Sequence, residues 1–411
     1  MSLSLKPQAP VLIIASLETK HEEVNDLVDR IGRHGFQCEI IDTSLRSGGV
    51  QLDGKGKIAA MHACAQSANA SIRRAMAGGA QVVVGIGGGT GAQIIAEAIS
   101  DLPFAMPKIL INTMAHDMRP DTADNSVIII PSVSDLAGMN PTLRQVFENA
   151  AAVVAGLARA ATFHPHISTS PTIGMTTLGT TSRGADLAKA MLQEAGHEVT
   201  AFHANGYGGK AFTRWCACGA FSGVMDFTTH EVTRVLFDRA CNVPSDRYQA
   251  AAKSNLPQVV LPGGVNFMSR GPLDHLSDEQ RTLPHYTHSY SFTHIGLTPD
   301  QMAQCADYLA EHLTALPTPT IMIVPMGGFS TEDRSGGAIE NRAGREAFAR
   351  IMESQASSGF EVRRVETHIC EAETAEAAVS AMTELLGRTS NRPRPADAHT
   401  HDRARHMTAS R

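Results

Sequence analysis

The sequence lacks long apolar runs, and near its start the longest is Val11–Ala15. A membrane-spanning helix needs about 20 apolar residues, and the apolar core of a signal peptide needs about 7 to 15. We therefore expect neither a membrane span nor a secretory leader. The cysteines are scattered, with no CxxC pair and no disulfide framework, which predicts reduced thiols and a cytoplasmic protein. They are Cys38, Cys64, Cys216, Cys218, Cys241, Cys305 and Cys370.

Several other signals are missing. The net charge is −6, and without a basic excess we expect no nucleic-acid partner. No Gly-Lys-Ser/Thr sequence closes a Walker A loop, and there is no Gly-x-Ser-x-Gly elbow. The pair His285-x-x-His288 has no Cys or Glu partner nearby, so we predict no metal site.

The most informative stretch is Val82–Ala92, which reads V-V-V-G-I-G-G-G-T-G-A. The valines predict a buried parallel strand. The glycines predict a loop, and the apolar spacing of Ile94, Ile95, Ala98 and Ile99 predicts a helix. Glycines expose backbone N–H groups and a helix N-terminus is electropositive, so this place favours a phosphate group. The alternative is a tight strand-to-helix turn that binds nothing.

Strands and helices alternate along the chain, which predicts an α/β fold of two Rossmann-like, doubly wound parallel-sheet domains in tandem. The pattern breaks at Thr162–Pro171 and then restarts. Leu17 matches Leu178 and Gly35 matches Gly196, both at an offset of 161 residues (178 − 17). This internal repeat indicates that both halves begin with the same βαβ unit. The predicted parts are an N-terminal nucleotide-binding domain (1–168), a C-terminal domain (169–388) and a disordered tail (389–411).

Ligands of open α/β sheets bind at the carboxyl ends of the strands. In the first half, the residues after the predicted strands combine an ammonium group, hydroxyls, an amide and the glycine loop, which together suit the phosphates of a nucleotide. The alternative is that the threonines and the asparagine only cap helices. The predicted cofactor-binding residues are Thr19, Lys20, Thr43, Gly87, Gly88, Gly89, Thr90, Gly91, Asn112 and Thr113.

The strand ends of the second half carry different side chains. Lys210, Asp226 and Glu231 follow predicted strands there and have the side-chain types of general acids, bases or metal ligands. We predict that they are catalytic, on the substrate side of an interdomain cleft. The alternative for each is a solvated or helix-capping side chain.

Several motifs of this chain, and the order in which they occur, resemble those of a known family. It is a mostly bacterial family of uncharacterised function, named after the ATP-binding domain of the plant tobamovirus-resistance protein. The matching stretches are Glu18-Thr-Lys20, Gly-Gly-Gly-Thr-Gly (87–91), Pro-Ser-Val-x-Asp-Leu-Ala-Gly-Met-Asn (131–140), Thr-Thr-Leu-Gly-Thr (176–180), Phe-His-Ala-x-Gly-x-Gly-Gly-Lys (202–210) and Asp-x-Thr-Thr-x-Glu (226–231).

The resemblance implies two Rossmann-like subdomains, ATP bound in the first, with or without Mg²⁺, and a homodimer. We therefore predict an ATP-binding protein that acts on a small anionic metabolite at the interdomain cleft, by an unassigned reaction. Two alternatives stay open. One is a regulatory module that senses a nucleotide and recruits a partner. The other is an enzyme of organic-acid metabolism that needs no nucleotide and whose glycine loop holds the substrate.

Overall fold

The computed structural model describes residues 10–45, 53–160, 172–238, 242–315, 318–356 and 360–390. The chain divides into two compact units, Met1–Ile167 and Ser168–Arg411. The predicted break at 162–171 and nearly all of the predicted tail lie outside the described residues. Over those ranges, no helix combines the length and apolarity that crossing a membrane demands.

The first unit is a parallel sheet between two layers of helices. Its strands are β1 (Val11–Ala15), β2 (Cys38–Asp42), β3 (Val82–Gly87), β4 (Lys108–Asn112) and β5 (Ile128–Pro131). Its helices are α1 (Leu17–Arg33), α2 (Gly54–Ala77), α3 (Gly89–Ile99), α4 (Arg119–Thr122) and α5 (Pro141–Ala160). The strand order is β2-β1-β3-β4-β5, and neighbouring strands are parallel.

Apolar layers on both faces of this sheet hold the unit together. On one face, Leu27 of α1 and Phe147 of α5 pack against the strands. On the other face, Ile72 of α2 and Ile95 of α3 do the same. Because both faces are covered, the strands β1 and β3 are continuous apolar runs with no alternation, whereas edge strand β2 also carries Glu39 and Asp42. The predicted doubly wound α/β fold is confirmed for this unit.

The second unit repeats the plan with one more strand. Its parallel strands are β6 (Thr172–Thr177), β7 (Glu198–His203), β8 (Gly223–Asp226), β9 (Gln258–Val260), β13 (Thr320–Pro325) and β14 (Phe360–Val365). Its helices are α6 (Ser182–Glu194), α7 (Tyr207–Ala217), α8 (Glu231–Phe237), α9 (Ala250–Lys253), α10 (Asp278–Thr282), α11 (Pro299–Thr314), α12 (Arg342–Ser354) and α13 (Ala372–Ser390). The strand order is β14-β13-β9-β8-β6-β7. Helices cover both faces of this sheet as well.

A small antiparallel sheet in the second unit has no counterpart in the sequence-based prediction. Its strands are β10 (Phe267–Arg270), β11 (His285–Ser289) and β12 (Phe292–Gly296), in the order β10-β12-β11. Residues 266–294 show weak periodicity because the strands are short, and β11 is polar and largely exposed. An exposed polar strand lacks the apolar alternation by which strands are recognised.

Both units begin with the same βαβ arrangement. Helix α1 ends at Arg33 and α6 at Glu194, again 161 residues apart (194 − 33). Each helix is followed by a glycine with positive φ, +91° at Gly35 and +88° at Gly196. This left-handed conformation ends helices and favours glycine, which has no Cβ to clash. The structure therefore contains the predicted repeat.

The start of the first helix and the end of the last one differ from the prediction. The sequence predicts a turn over Leu17–Lys20, but α1 already begins at Leu17, and its first turn is set off by a kink at Lys20 (φ −129°, ψ 22°). The last helix reaches Ser390, past the predicted start of the tail at residue 389. An ion pair between Arg388 and Glu384, one turn apart, supports this extension.

Candidate functional site

The sheet of the first unit has its topological switch point between β1 and β3, since β2 lies on one side of β1 and β3 on the other. Ligands of open α/β sheets bind at such a point, outside the carboxyl ends of the strands. The glycine loop, residues 87–91, runs from the last residue of β3 through Gly88 into the first turn of α3. The fold therefore places it where a ligand is expected.

The glycines of this loop are needed for two different reasons. A Cβ on Gly87 would lie 2.6 Å from the backbone nitrogen of Ala92, so the start of α3 excludes any side chain there. A Cβ on Gly88 would meet only Thr113 Oγ1, at 3.9 Å, and one on Gly91 would meet no described atom within 4 Å. Packing does not explain Gly88 and Gly91. The open space beside them is what a bound phosphate requires.

The loops after β4 and β5 are held in unusual conformations. Asn112 is fully buried, and its Oδ1 accepts the backbone N–H of Met114. Met114 has φ +55°, and Val133, after β5, has φ +64° and is 80% exposed. A left-handed conformation strains a β-branched residue, and such strain clusters at functional sites. Asn112 therefore fixes the loop that borders the site, because its side-chain amide binds the protein's own backbone.

The other predicted cofactor-binding residues differ in their surroundings. Lys20 is partly buried and donates from Nζ to the carbonyl of Leu136. Thr43 is 1% exposed, and its Oγ1 has no hydrogen-bond partner among the described residues. An unsatisfied buried hydroxyl costs about 1–3 kcal/mol, which a ligand or a water molecule would relieve. Thr19 is exposed, whereas Gly89, Thr90 and Thr113 are partly buried.

In the second unit, a buried arginine brings two of the predicted catalytic residues together. Arg247 is 1% exposed. Its Nη1 and Nη2 donate to Asp226 at 2.7 and 2.9 Å, and its Nε donates to Glu231 at 2.7 Å. The two carboxylates raise the pKa of this guanidinium well above its usual value, although burial opposes them. Arg247 lies in a segment without a motif, so its role was not predictable from the sequence.

The remaining acceptor positions of these carboxylates are also occupied. Asp226 accepts the hydroxyl of Thr176 at 2.6 Å. Glu231 accepts the backbone N–H groups of Gly206 and Gly209 at 2.5 and 3.0 Å. The arrangement therefore joins β6, β8 and the start of α7, and acid–base chemistry by these two groups stays a prediction. Lys210, in the first turn of α7, is partly buried.

Three further buried side chains at this edge lack hydrogen-bond partners among the described residues. They are Thr180 Oγ1 after β6, both amide atoms of Asn266 after β9, and Ser330 Oγ after β13. The loops are neighbours, because the N–H of Thr331 donates to the carbonyl of Thr180 at 2.8 Å. Buried polar groups without partners are rare in native structures. Asn266 and Ser330 belong to no motif, so they were not predictable from the sequence.

A stack of rings extends from this edge onto the small antiparallel sheet. His230 lies 4.5 Å from Phe267, Phe267 lies 4.2 Å from His294, and His294 lies 4.7 Å from His288, between ring centroids. Burial lowers the pKa of His230 to about 4 and that of His294 to about 3. Arg234 and His203 contribute to the lowered pKa of His230, and His288 and His230 contribute to that of His294. Both rings are therefore neutral at pH 7.

The chemistry of the two edges differs. In the first unit, backbone N–H groups, hydroxyls and one ammonium group surround an open loop, which suits an anion. The second unit has a matched ion cluster, unpaired hydroxyl and amide groups, and neutral imidazoles. Over the described ranges, no group of three or more His, Cys, Asp or Glu side chains is placed to hold a metal ion.

Comparisons with known proteins find relatives along the chain. The Uncharacterised protein family (UPF0261) C-terminal domain matches residues 170–386, and the N-terminal domain of that family matches residues 50–162. A UPF0261 protein of Rhizobium meliloti is 28% identical over 395 residues, which cover 91% of this chain and 98% of that protein. One of Clostridium tetani is 27% identical over 349 residues, covering 79% and 86%.

A plant relative is also found. The ToMV resistance protein Tm-1 of Solanum lycopersicum is 27% identical over 310 residues. The match covers 74% of this chain but only 41% of the tomato protein. These findings confirm the family resemblance predicted from the motifs.

We expect the substitution Arg247→Met to lower the free energy of unfolding by about 3–5 kcal/mol, because it leaves two buried carboxylates without their cation. Arg364→Met is the matched control. Arg364 also bridges two carboxylates, Glu346 and Glu353, but at the surface, so its loss costs about 1 kcal/mol or less. Urea unfolding measures both. Equal losses in the two variants would contradict the structural role of Arg247.

We expect acid to destabilise the protein through its buried histidines. Each buried histidine has a lower pKa in the folded protein than in the unfolded chain, where it is about 6.5. Its neutral form therefore contributes fully to the free energy of unfolding above about pH 6.5, and this contribution is lost as the pH falls towards 4. His294→Phe keeps a stacking ring but cannot titrate. Between pH 7.5 and 5.0 the variant should lose about 2 kcal/mol less than the wild type. Urea unfolding at the two pH values checks this, and an identical loss in both proteins would refute it.

Proposed function

The chain belongs to the uncharacterised protein family UPF0261, and we propose that it binds ATP at the carboxyl edge of the sheet in its first unit. The glycine loop after β3 carries this proposal. Gly88 and Gly91 leave open space that packing does not explain, at the switch point of the sheet and at the N-terminus of α3. Backbone N–H groups and the helix dipole there favour a phosphate group.

The side chains around the loop suit the rest of a triphosphate. The Lys20 ammonium group, which gives one hydrogen bond to Leu136, has further N–H donors for a phosphate oxygen. The buried hydroxyl of Thr43, which has no partner within the described part of the chain, gains one if a ligand reaches it. Mg²⁺, where it takes part, would be held mainly by the phosphates and water, as is common for this ion.

We further propose that the second unit takes the ligand on which the protein acts, a small anionic metabolite. A reaction class does not follow from the geometry. Asp226 and Glu231 each accept three hydrogen bonds, which leaves neither as an evident general base. This observation favours a second candidate function, a module that binds a nucleotide without turning it over. The homodimer and the cytoplasmic location stay predictions.

The test is calorimetric titration with ATP–Mg²⁺. Gly88 has a negative φ of −76°, which residues with a side chain adopt, and its Cβ position is free of close contacts. Gly88→Val should therefore fold normally and bind ATP at least about tenfold more weakly, because the side chain fills the phosphate space. Lys20→Ala should also weaken binding through the loss of a charge.

The matched control is Gly32→Ala, a change in α1 where the new Cβ meets no described atom within 4 Å. It should leave ATP binding unchanged and slightly stabilise the helix. A wild-type protein that shows no heat of binding would refute the nucleotide proposal. If Gly88→Val bound ATP with wild-type affinity, the ATP site would not lie at the glycine loop.

A further inference from the structure

The ring stack in the second unit combines three histidines from separate parts of the fold. His230 comes from the loop after β8, His294 from β12 and His288 from β11. The planes of neighbouring rings are inclined by only 16–28°. His230 and His294 are 2% and 4% exposed, whereas His288 is exposed. The stack thus runs from the buried strand edge to the surface.

The hydrogen bonds of these histidines are incomplete. His230 Nδ1 lies 2.8 Å from the carbonyl oxygen of Gly264 and so carries the proton, which leaves the Nε2 lone pair as an acceptor. His294 Nδ1 is buried and has no partner among the described residues. A nine-tenths buried imidazole with an unsatisfied nitrogen is costly unless a ligand or water completes it.

The groups that act electrostatically on the stack are an arginine and other histidines. Arg234 and His203 act on His230, and His288 and His230 act on His294. The other ring close to His294 is Tyr286 of β11, and the residue paired with His294 on β10 is Ser269. The nearest glutamate along the chain, Glu231, forms an ion pair with Arg247. Of these groups, Arg234 is a permanent cation and is paired with Asp238 at 3.7 Å, and the histidines become cations only when they gain a proton. A negative charge brought to the stack would thus be balanced by protonation of the imidazoles.

We propose that His230, His294 and His288 form a binding site for a small organic anion, held through its carboxylate or phosphate group. The arriving anion favours protonation of the imidazoles, and each protonated ring then donates a charge-assisted N–H···O bond. This site rests on the part of the proposed function that gives the second unit an anionic ligand.

Titration calorimetry with sodium phosphate and with sodium succinate, without nucleotide, tests the site in the full chain. Wild type should bind at least one of the two anions, more tightly at pH 6 than at pH 8. His294→Phe keeps the ring stack and should weaken binding about tenfold or more, the loss of one charge-assisted bond. His288→Phe, at the exposed end, is a second variant that leaves the core untouched.

The matched control is His312→Phe. His312 also stacks on an aromatic ring, Tyr308 at 4.0 Å, but on α11, and its change should leave binding unaltered. Tighter phosphate binding would assign a phosphorylated ligand, and tighter succinate binding a carboxylate. No wild-type binding of either anion, or wild-type affinity in both stack variants, would overturn the site. Because no nucleotide is present, failure here is separate from failure of the ATP proposal.

Discussion

Parallel strands all run in one direction, so their carboxyl ends meet at a single edge of the sheet, and this constraint positions most of the candidate functional residues of the chain. In the first unit it gathers the glycine loop, Lys20 and Thr43 from three separate strand ends. In the second unit it gathers Asp226 and the buried polar groups of Asn266 and Ser330. Residues far apart in sequence become neighbours without sharing a local motif.

The two units use that edge differently. The first keeps space beside its glycine loop and strains the neighbouring backbone at Met114 and Val133. The second closes part of its edge with the buried ion cluster of Arg247, Asp226 and Glu231. A buried cluster of this kind fixes the geometry more than it adds stability, since desolvation offsets most of the Coulomb attraction. It therefore serves as a rigid support for the loops and the ring stack around it.

The sequence predicts the fold well because its signals are local. Valine runs, helical spacing, and the glycines at 35 and 196 each fix one element, and the alternation of elements fixes the architecture. The site is less predictable. Arg247 lies far from its partners in sequence, and Asn112 shows its role only through the backbone of Met114. The small antiparallel sheet is missed because polar, exposed β11 lacks apolar alternation.

The central claim is that the glycine loop of the first unit holds the phosphates of a nucleotide. Hydrogen–deuterium exchange of the wild-type protein, with and without ATP–Mg²⁺, tests it most directly, because bound phosphates take up the backbone N–H groups of the loop. The account predicts that ATP slows exchange at residues 87–91 and in the adjoining residues 113–115. Unchanged exchange at the loop at saturating ATP, or protection confined to other parts of the chain, would contradict it.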